Sequence, residues 1–151
     1  MSKIKNLVLE KSDFATLKTF YKISQQKHIG TALNKKTLEQ YKQEFHNARL
    51  SYFTVYKDDK IAGYVLLNLA QVIRVQLKRI VLDEKYLGTG VLVLNLVEEY
   101  ARGLGAKSLW LDVYANNTRA IRLYKKVGFK QYDVGVEGGY EVWFFEKKIQ
   151  I

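Results

Sequence analysis

Between Ser51 and Leu82 the hydrophobic pattern changes from a helical to an extended period. β-Branched and aromatic residues crowd SYFTVYK (51–57) and KIAGYVLLNLA (60–70) around Asp58, Asp59 and Lys60, which predicts two strands joined by a short polar turn. VQLKRIVL (75–82) continues the sheet with partial alternation. Upstream, residues 4–9 read as a first strand. Ser12 or Asp13 caps a helix to about Gln26, with Phe14, Leu17, Phe20 or Tyr21, and Ile23 or Ser24 at helical spacing. Residues 27–34 form a connection. Thr37 with Gln40 fits a capping box, and Leu38, Tyr41 and Phe45 then recur on one helical face.

Downstream, 90–103 reads as a helix, SLWLDVY (108–114) as a strand and 117–126 as a helix. Residues 129–134 and 140–148 are strands around the turn VEGG (136–139). Strands interleaved with helices predict an α/β or mixed α+β fold. No linker or repeat interrupts the chain and proline is absent, so boundaries rest on glycines, caps and period. A chain of 151 residues, 48% hydrophobic, predicts one domain over 1–151 whose core needs no metal or disulfide.

Cysteine is absent, which excludes disulfides and thiolate chemistry, and two distant histidines give no basis for a metal cluster. The N-terminal apolar run is too short for a secretory signal, and no stretch has the length of a membrane helix. A soluble cytoplasmic protein without a membrane partner is expected. The net charge of +10, from 25 Lys and Arg against 15 Asp and Glu, suits nucleic acid, a phosphate-rich cofactor, or simply solvated faces. No zinc-finger spacing, RNA-reading aromatic motif or long basic run accompanies it, so nucleic acid is the weaker reading.

KYLGTG (85–90) passes from a strand into a helix. Small residues there let a ligand approach the backbone, and the first helical N–H groups face an anion. Gly88 and Gly90 have that setting, with Thr89 as a further donor; an ordinary strand-to-helix turn explains the same residues equally well. No GK[ST] follows and no third glycine is present, which separates the loop from nucleotide P-loops and dinucleotide fingerprints.

With NTRAIRLY (117–124) and KKVGF (125–129), this loop resembles the acetyl-CoA site of the GCN5-related N-acetyltransferases (GNAT), closely over 77–129 and by topology before that. The family loop Q/R-x-x-G-x-G/A aligns with Lys85, Gly88 and Gly90, leaving lysine at the first position and about two residues fewer between strand and loop. The competing register would put Leu92 at the second small position. The resemblance implies a central, mostly antiparallel twisted sheet with flanking helices and two splayed parallel central strands, 77–82 and 109–113. The pantetheine arm of acetyl-CoA, the co-substrate, would lie between them. Ile80 and Val81 would contribute main-chain groups, Lys85, Gly88, Thr89 and Gly90 the phosphate loop, and Asn117 the start of the second helix, where its plain role is an N-cap.

Acetyl transfer from a thioester to an amine needs a neutral nucleophile, stabilisation of the developing oxyanion and a proton for the thiolate. The resemblance assigns that proton to Tyr124, one of 11 tyrosines, whose alternative role is core packing. Val81 N–H would face the oxyanion. Glu84, Glu99, Asp112 and Glu141 lie near predicted site elements, but none is singled out as the base.

By the same analogy residues 20–47 wall the acceptor, with Tyr21, His28 and Tyr41 entering it; His28 and His46 are also ordinary loop and helix-end histidines. With no cysteine and no nucleophile-elbow serine, direct attack by a primary amine, small molecule or peptide, in a ternary complex is the leading expectation. The basic balance speaks against assuming a polyamine. A catalytically weak or inactive acetyl-CoA-binding regulatory domain is the alternative, ahead of a nucleic-acid-associated protein. The apolar strand Tyr140–Phe145 suits either the core or a homodimer seam.

Overall fold

The computed structural model describes residues 6–150. Among these, seven strands form one sheet in the order β1-β2-β3-β4-β5-β7-β6: β1 Leu7–Lys11, β2 Leu50–Lys57, β3 Lys60–Asn68, β4 Arg74–Leu82, β5 Ser108–Tyr114, β6 Lys130–Glu137 and β7 Tyr140–Lys148. Every neighbouring pair is antiparallel except β4 with β5. Among the described residues five α-helices flank it: α1 Leu17–Ile23, α2 Thr31–Asn34, α3 Leu38–His46, α4 Gly90–Gly103 and α5 Thr118–Val127. This is the mixed α/β architecture expected, with one parallel pair at the centre.

Local chemistry accounts for the boundaries. Asp58 and Asp59 take positive φ (51° and 66°), the conformation a two-residue hairpin turn requires and one that aspartate tolerates. Thr37 and Gln40 form the reciprocal capping box at the start of α3. Gly128, at φ 108°, closes α5 in the left-handed region. No helix among the described residues is long and apolar enough to cross a membrane.

Alternation along the strands splits the core into two layers. Tyr64, Leu66 and Val81 meet Leu17, Phe20 and Ile23 of α1 and Tyr41 of α3. Val65, Leu67, Leu77 and Leu82 meet Val93, Leu94 and Val97 of α4 with Ile121 and Tyr124 of α5. In β7, Val142 and Phe145 are buried while Tyr140 is 65% exposed.

Five expectations shift. The first strand occupies 7–11 rather than 4–9, and residues 4 and 5 lie outside the described residues. The long first helix becomes a 3-10 turn, Phe14–Thr16, capped by Asp13 and followed by α1, which ends at Ile23. Phe14 stands at the surface, edge-on to Phe45 of α3, instead of entering the core. The connection 27–34 holds a 3-10 turn, Lys27–Ile29, and α2, while β6 extends to Glu137 because alternation with β7 continues past Val134.

Candidate active site

β4 and β5 pair only over Arg74–Gln76 and Ser108–Trp110. Immediately beyond, the β3–β4 register slips so that Leu66 faces Arg79 and Leu67 faces Leu77, leaving Lys78 as the extra residue of a bulge. A bulge bends its strand and increases its twist. β4 therefore leaves β5 at this point, and a cavity of about 860 Å³ opens along the parted strands, lined among others by Ile80, Val81, Leu82, Asp112, Val113 and Tyr124.

The main-chain groups at this opening follow from the ladder. Asp83 N–H donates to Ala62 C=O at 2.7 Å across β3, and a Cβ added to Gly63 would lie 2.1 Å from Val81 O. Odd-numbered residues at this end of β4 thus bond to β3, and the alternate ones, Ile80 and Leu82, turn their N–H and C=O toward the gap. Val81 N–H thus belongs to the β3 ladder, and it is Ile80 N–H that faces the cavity. Leu82 C=O is already engaged, accepting from His28 Nε2 at 2.8 Å.

The glycine loop, Glu84–Thr89, is a 3-10 segment kinked at Tyr86 that runs directly into α4. Neither glycine needs positive φ. Gly90 is buried and lines the cavity, and a Cβ there would press on Leu123 of α5 at 3.0 Å, so helix packing selects the glycine. Gly88 is exposed with open space where a Cβ would point. The Thr89 hydroxyl donates to Tyr86 C=O at 2.7 Å and is not the free donor expected of it. Lys85 is exposed, and neither Lys85, Gly88 nor Thr89 is among the cavity residues.

Tyr124 lies on the buried face of α5, ring edge to Phe129 at 5.8 Å, and lines the cavity. Burial, and then the negative charge of Asp112, push its phenol well above the ordinary tyrosine range, so it stays protonated. Among the described residues no protein group hydrogen-bonds its hydroxyl, and the hydroxyl is not a sealed, unsatisfied atom. Asn117 caps α5, its side chain accepting from Ala120 N–H at 3.2 Å, and also lines the cavity. Of the four acids considered from sequence, only Asp112 lines the cavity; Glu84, Glu99 and Glu141 are exposed elsewhere.

The residues expected on the acceptor side separate. His28 and the segment that carries it line the cavity, but Nε2 is committed to Leu82 and Nδ1 is buried without a partner. Tyr41 is fully buried, its hydroxyl 3.2 Å from that of Tyr64, so it is a core residue here and cannot touch a substrate. Tyr21 packs edge-on against Tyr41 and is not a lining residue.

Sequence reasoning missed a charged cluster beside this wall. Arg79 Nη1 and Nη2 donate to Glu44 Oε1 and Oε2 at 3.2 and 2.7 Å, Tyr52 hydroxyl donates to Oε1 at 2.5 Å, and Lys36 Nζ lies 3.3 Å from Oε2. Burial pushes the Glu44 carboxyl up, but the Arg79 hydrogen bond and charge, the Tyr52 hydrogen bond and Lys36 outweigh it and hold the carboxyl below its ordinary range. Arg79, Lys36, Lys35 and Lys78 line the same cavity as Tyr124. The capping box and the period of α3 pointed to the helix, but nothing local pairs residues 35 positions apart. Among the described residues no group of three or more side chains is placed to hold a metal ion.

A family model described as Acetyltransferase (GNAT) family matches residues 17–129, and the chain belongs to that family. An uncharacterized N-acetyltransferase of Mycobacterium bovis is 36% identical over 84 residues, 54% of each chain. A spermine/spermidine N(1)-acetyltransferase of Bacillus subtilis is 37% identical over 60 residues, 38% of this chain and 40% of its own. The match thus spans about half the length, or less, of these curated relatives. The crystal structure of spermidine N-acetyltransferase from Vibrio cholerae, in complex with CoA and spermine, superposes with a TM-score of 0.78 over 96% of both chains at 16% identity, a likeness of fold.

Proposed function

We propose that this GNAT-family chain transfers an acetyl group from acetyl-CoA to a primary amine by direct attack within a ternary complex. The observation that carries the reading is the parting of β4 from β5, which leaves the Ile80 main chain unpaired beside a cavity reached by Tyr124. The residues present fit the co-substrate: an unpaired strand edge for an amide-bearing arm, and Arg119, Arg122 and Lys126 of α5 on the lining for its phosphates. Lys85, Gly88 and Thr89 would bear on the phosphates only from outside the cavity.

Bound acetyl-CoA would supply a thioester whose acetyl carbon accepts the amine and whose sulfur leaves. Ile80 N–H would stabilise charge on the acetyl oxygen. Tyr124 holds a proton that its raised pKa keeps in place at neutral pH, for delivery to sulfur as the carbon–sulfur bond breaks. The new carbon–nitrogen bond releases one proton from the amine, and Asp112 is the lining carboxylate near Tyr124 able to take it directly or through water. Passage of that proton from Asp112 to the Tyr124 phenolate through water would restore both groups for the next cycle.

A second reading, a domain that binds acetyl-CoA without turning it over, draws on the compact loop and the engaged Thr89 hydroxyl. Calorimetric titration with acetyl-CoA followed by a thiol-release screen over amines decides between them. Binding with release supports the enzyme, binding without release on any amine supports the sensor, and no binding by the folded chain overturns both.

A further inference from the structure

The acceptor side of the cavity carries excess positive charge. Lys35 and Lys36 follow α2, and Lys78 and Arg79 stand at the bulge of β4. One carboxylate, Glu44, serves both Arg79 and Lys36, so this triad has a net charge of +1. Among the described residues Lys35 and Lys78 have no acidic partner within salt-bridge distance. The group therefore holds about three uncompensated charges, as four cations face one anion.

Two features, one at Lys36 and one at Lys78, tie this charge to the cavity wall. The Lys36 ammonium is pushed below its ordinary range, by burial first and then by the charge of Arg79, with Lys78 adding to the repulsion despite the opposing pull of Glu44. Lys78 is the inserted residue of the bulge, and such residues re-aim a side chain beside functional sites. The acids of the lining, Asp112 and Glu137, lie on β5 and β6, away from the lysines' own elements. A polycation would meet repulsion here, whereas an anion would relieve the existing strain among like charges.

Resting on the acetyl-transfer reading above, we propose that the acceptor is an amine that also bears an anionic group, carboxylate or phosphate, held by Lys35, Lys36 and Lys78 beside the Arg79–Glu44 pair. The fork of Arg79 is occupied by Glu44, so the anion is met by ammonium point charges. Such charges accept either anion. The selectivity against polyamines follows from the same charges.

The test uses the full chain, acetyl-CoA and matched amines: amino acids against their carboxamides, phosphoethanolamine against ethanolamine, and spermidine. The anionic member of a pair is expected to show kcat/KM at least about tenfold above its neutral counterpart and above spermidine, the scale of one charge-assisted contact. K35E/K78E, at two exposed positions, should reverse that preference while acetyl-CoA affinity, read by calorimetry, stays within about twofold. The two pairs separate carboxylate from phosphate. Preference for spermidine or for neutral amines overturns the proposal, as does a parallel loss of acetyl-CoA affinity in K35E/K78E, which would assign these lysines to the carrier. If no amine is acetylated, calorimetry on the CoA-loaded chain decides: an anionic amine that binds no more tightly than its neutral partner overturns it. Failure to bind acetyl-CoA at all instead removes the acetyl-transfer reading itself.

Discussion

Arg79 and Glu44 meet fork to fork, with both guanidinium Nη atoms on separate carboxylate oxygens at 3.2 and 2.7 Å, tying α3 to β4 one residue past the bulge. Both side chains are mostly buried, 15% and 13% exposed. Glu44→Gln is expected to destabilise the fold by about 3 kcal/mol, the low end for stranding one partner of a buried pair, since neither side chain is fully sealed. Replacing both, as Glu44→Leu with Arg79→Met, should recover most of that loss. Urea denaturation measures each; a single variant as stable as wild type would show the pair to be energetically idle.

The same carboxylate sets an acid limit. Its pKa is depressed in the folded chain, so its stabilisation is complete above the unfolded value of about 4.3 and is lost as pH falls through the folded value. Wild type should therefore lose stability more steeply below about pH 4 than Glu44→Gln does. Parallel pH profiles of the two proteins would rule Glu44 out as the source.

Tyr124→Phe keeps the ring contact with Phe129 and removes only the hydroxyl. Turnover at saturating acetyl-CoA is expected to fall by about 10- to 1000-fold, the range for a positioned proton donor, with acetyl-CoA affinity little changed. Wild-type kcat with reduced stability would instead make the tyrosine a packing residue.

The two loop glycines should respond differently. Gly90→Val forces a branched side chain against Leu123 and is expected to cost about 1–3 kcal/mol of stability. Gly88→Val enters open space, should leave the melting temperature unchanged, and weakens acetyl-CoA binding only where the ligand lies against residue 88. Unaltered affinity in Gly88→Val would remove that residue from the site.

Arg119, Arg122 and Lys126 present three exposed cations on the cavity side of α5. Acetyl-CoA affinity should fall as salt rises from about 50 to 500 mM, and Arg119→Ala/Arg122→Ala should flatten that dependence. Salt-independent binding by wild type would show that charge does not guide the ligand.

Much of the frame was legible because it is set by neighbours in sequence. The helix 90–103, the strand 108–114 and the hairpin at Asp58 and Asp59 stand where period and turn chemistry put them. Tyr41 entered the acceptor wall only through the family analogy; its helical face is visible in sequence, but the depth of that face depends on Tyr52 and Tyr64 in strands far along the chain. Val81 and Ile80 could not be told apart as donors, since the phase of a ladder is fixed by its partner strand and by the bulge at Lys78. The Glu44–Arg79 pair had no local signal at all.

Because β4 and β5 share only three residue pairs, the sheet consists of a four-stranded leaf, β1 to β4, and a three-stranded leaf, β5 to β7, joined by a short seam. Amide hydrogens of Ile80 and Leu82 have no strand partner across that seam, so in the unloaded chain they exchange with solvent far sooner than those of Arg79 and Val81. A ligand lying in the gap would supply the missing rungs. Its binding energy would then fall on the joint between the leaves, making them unfold together rather than one before the other, with a gain in cooperativity that grows with ligand concentration.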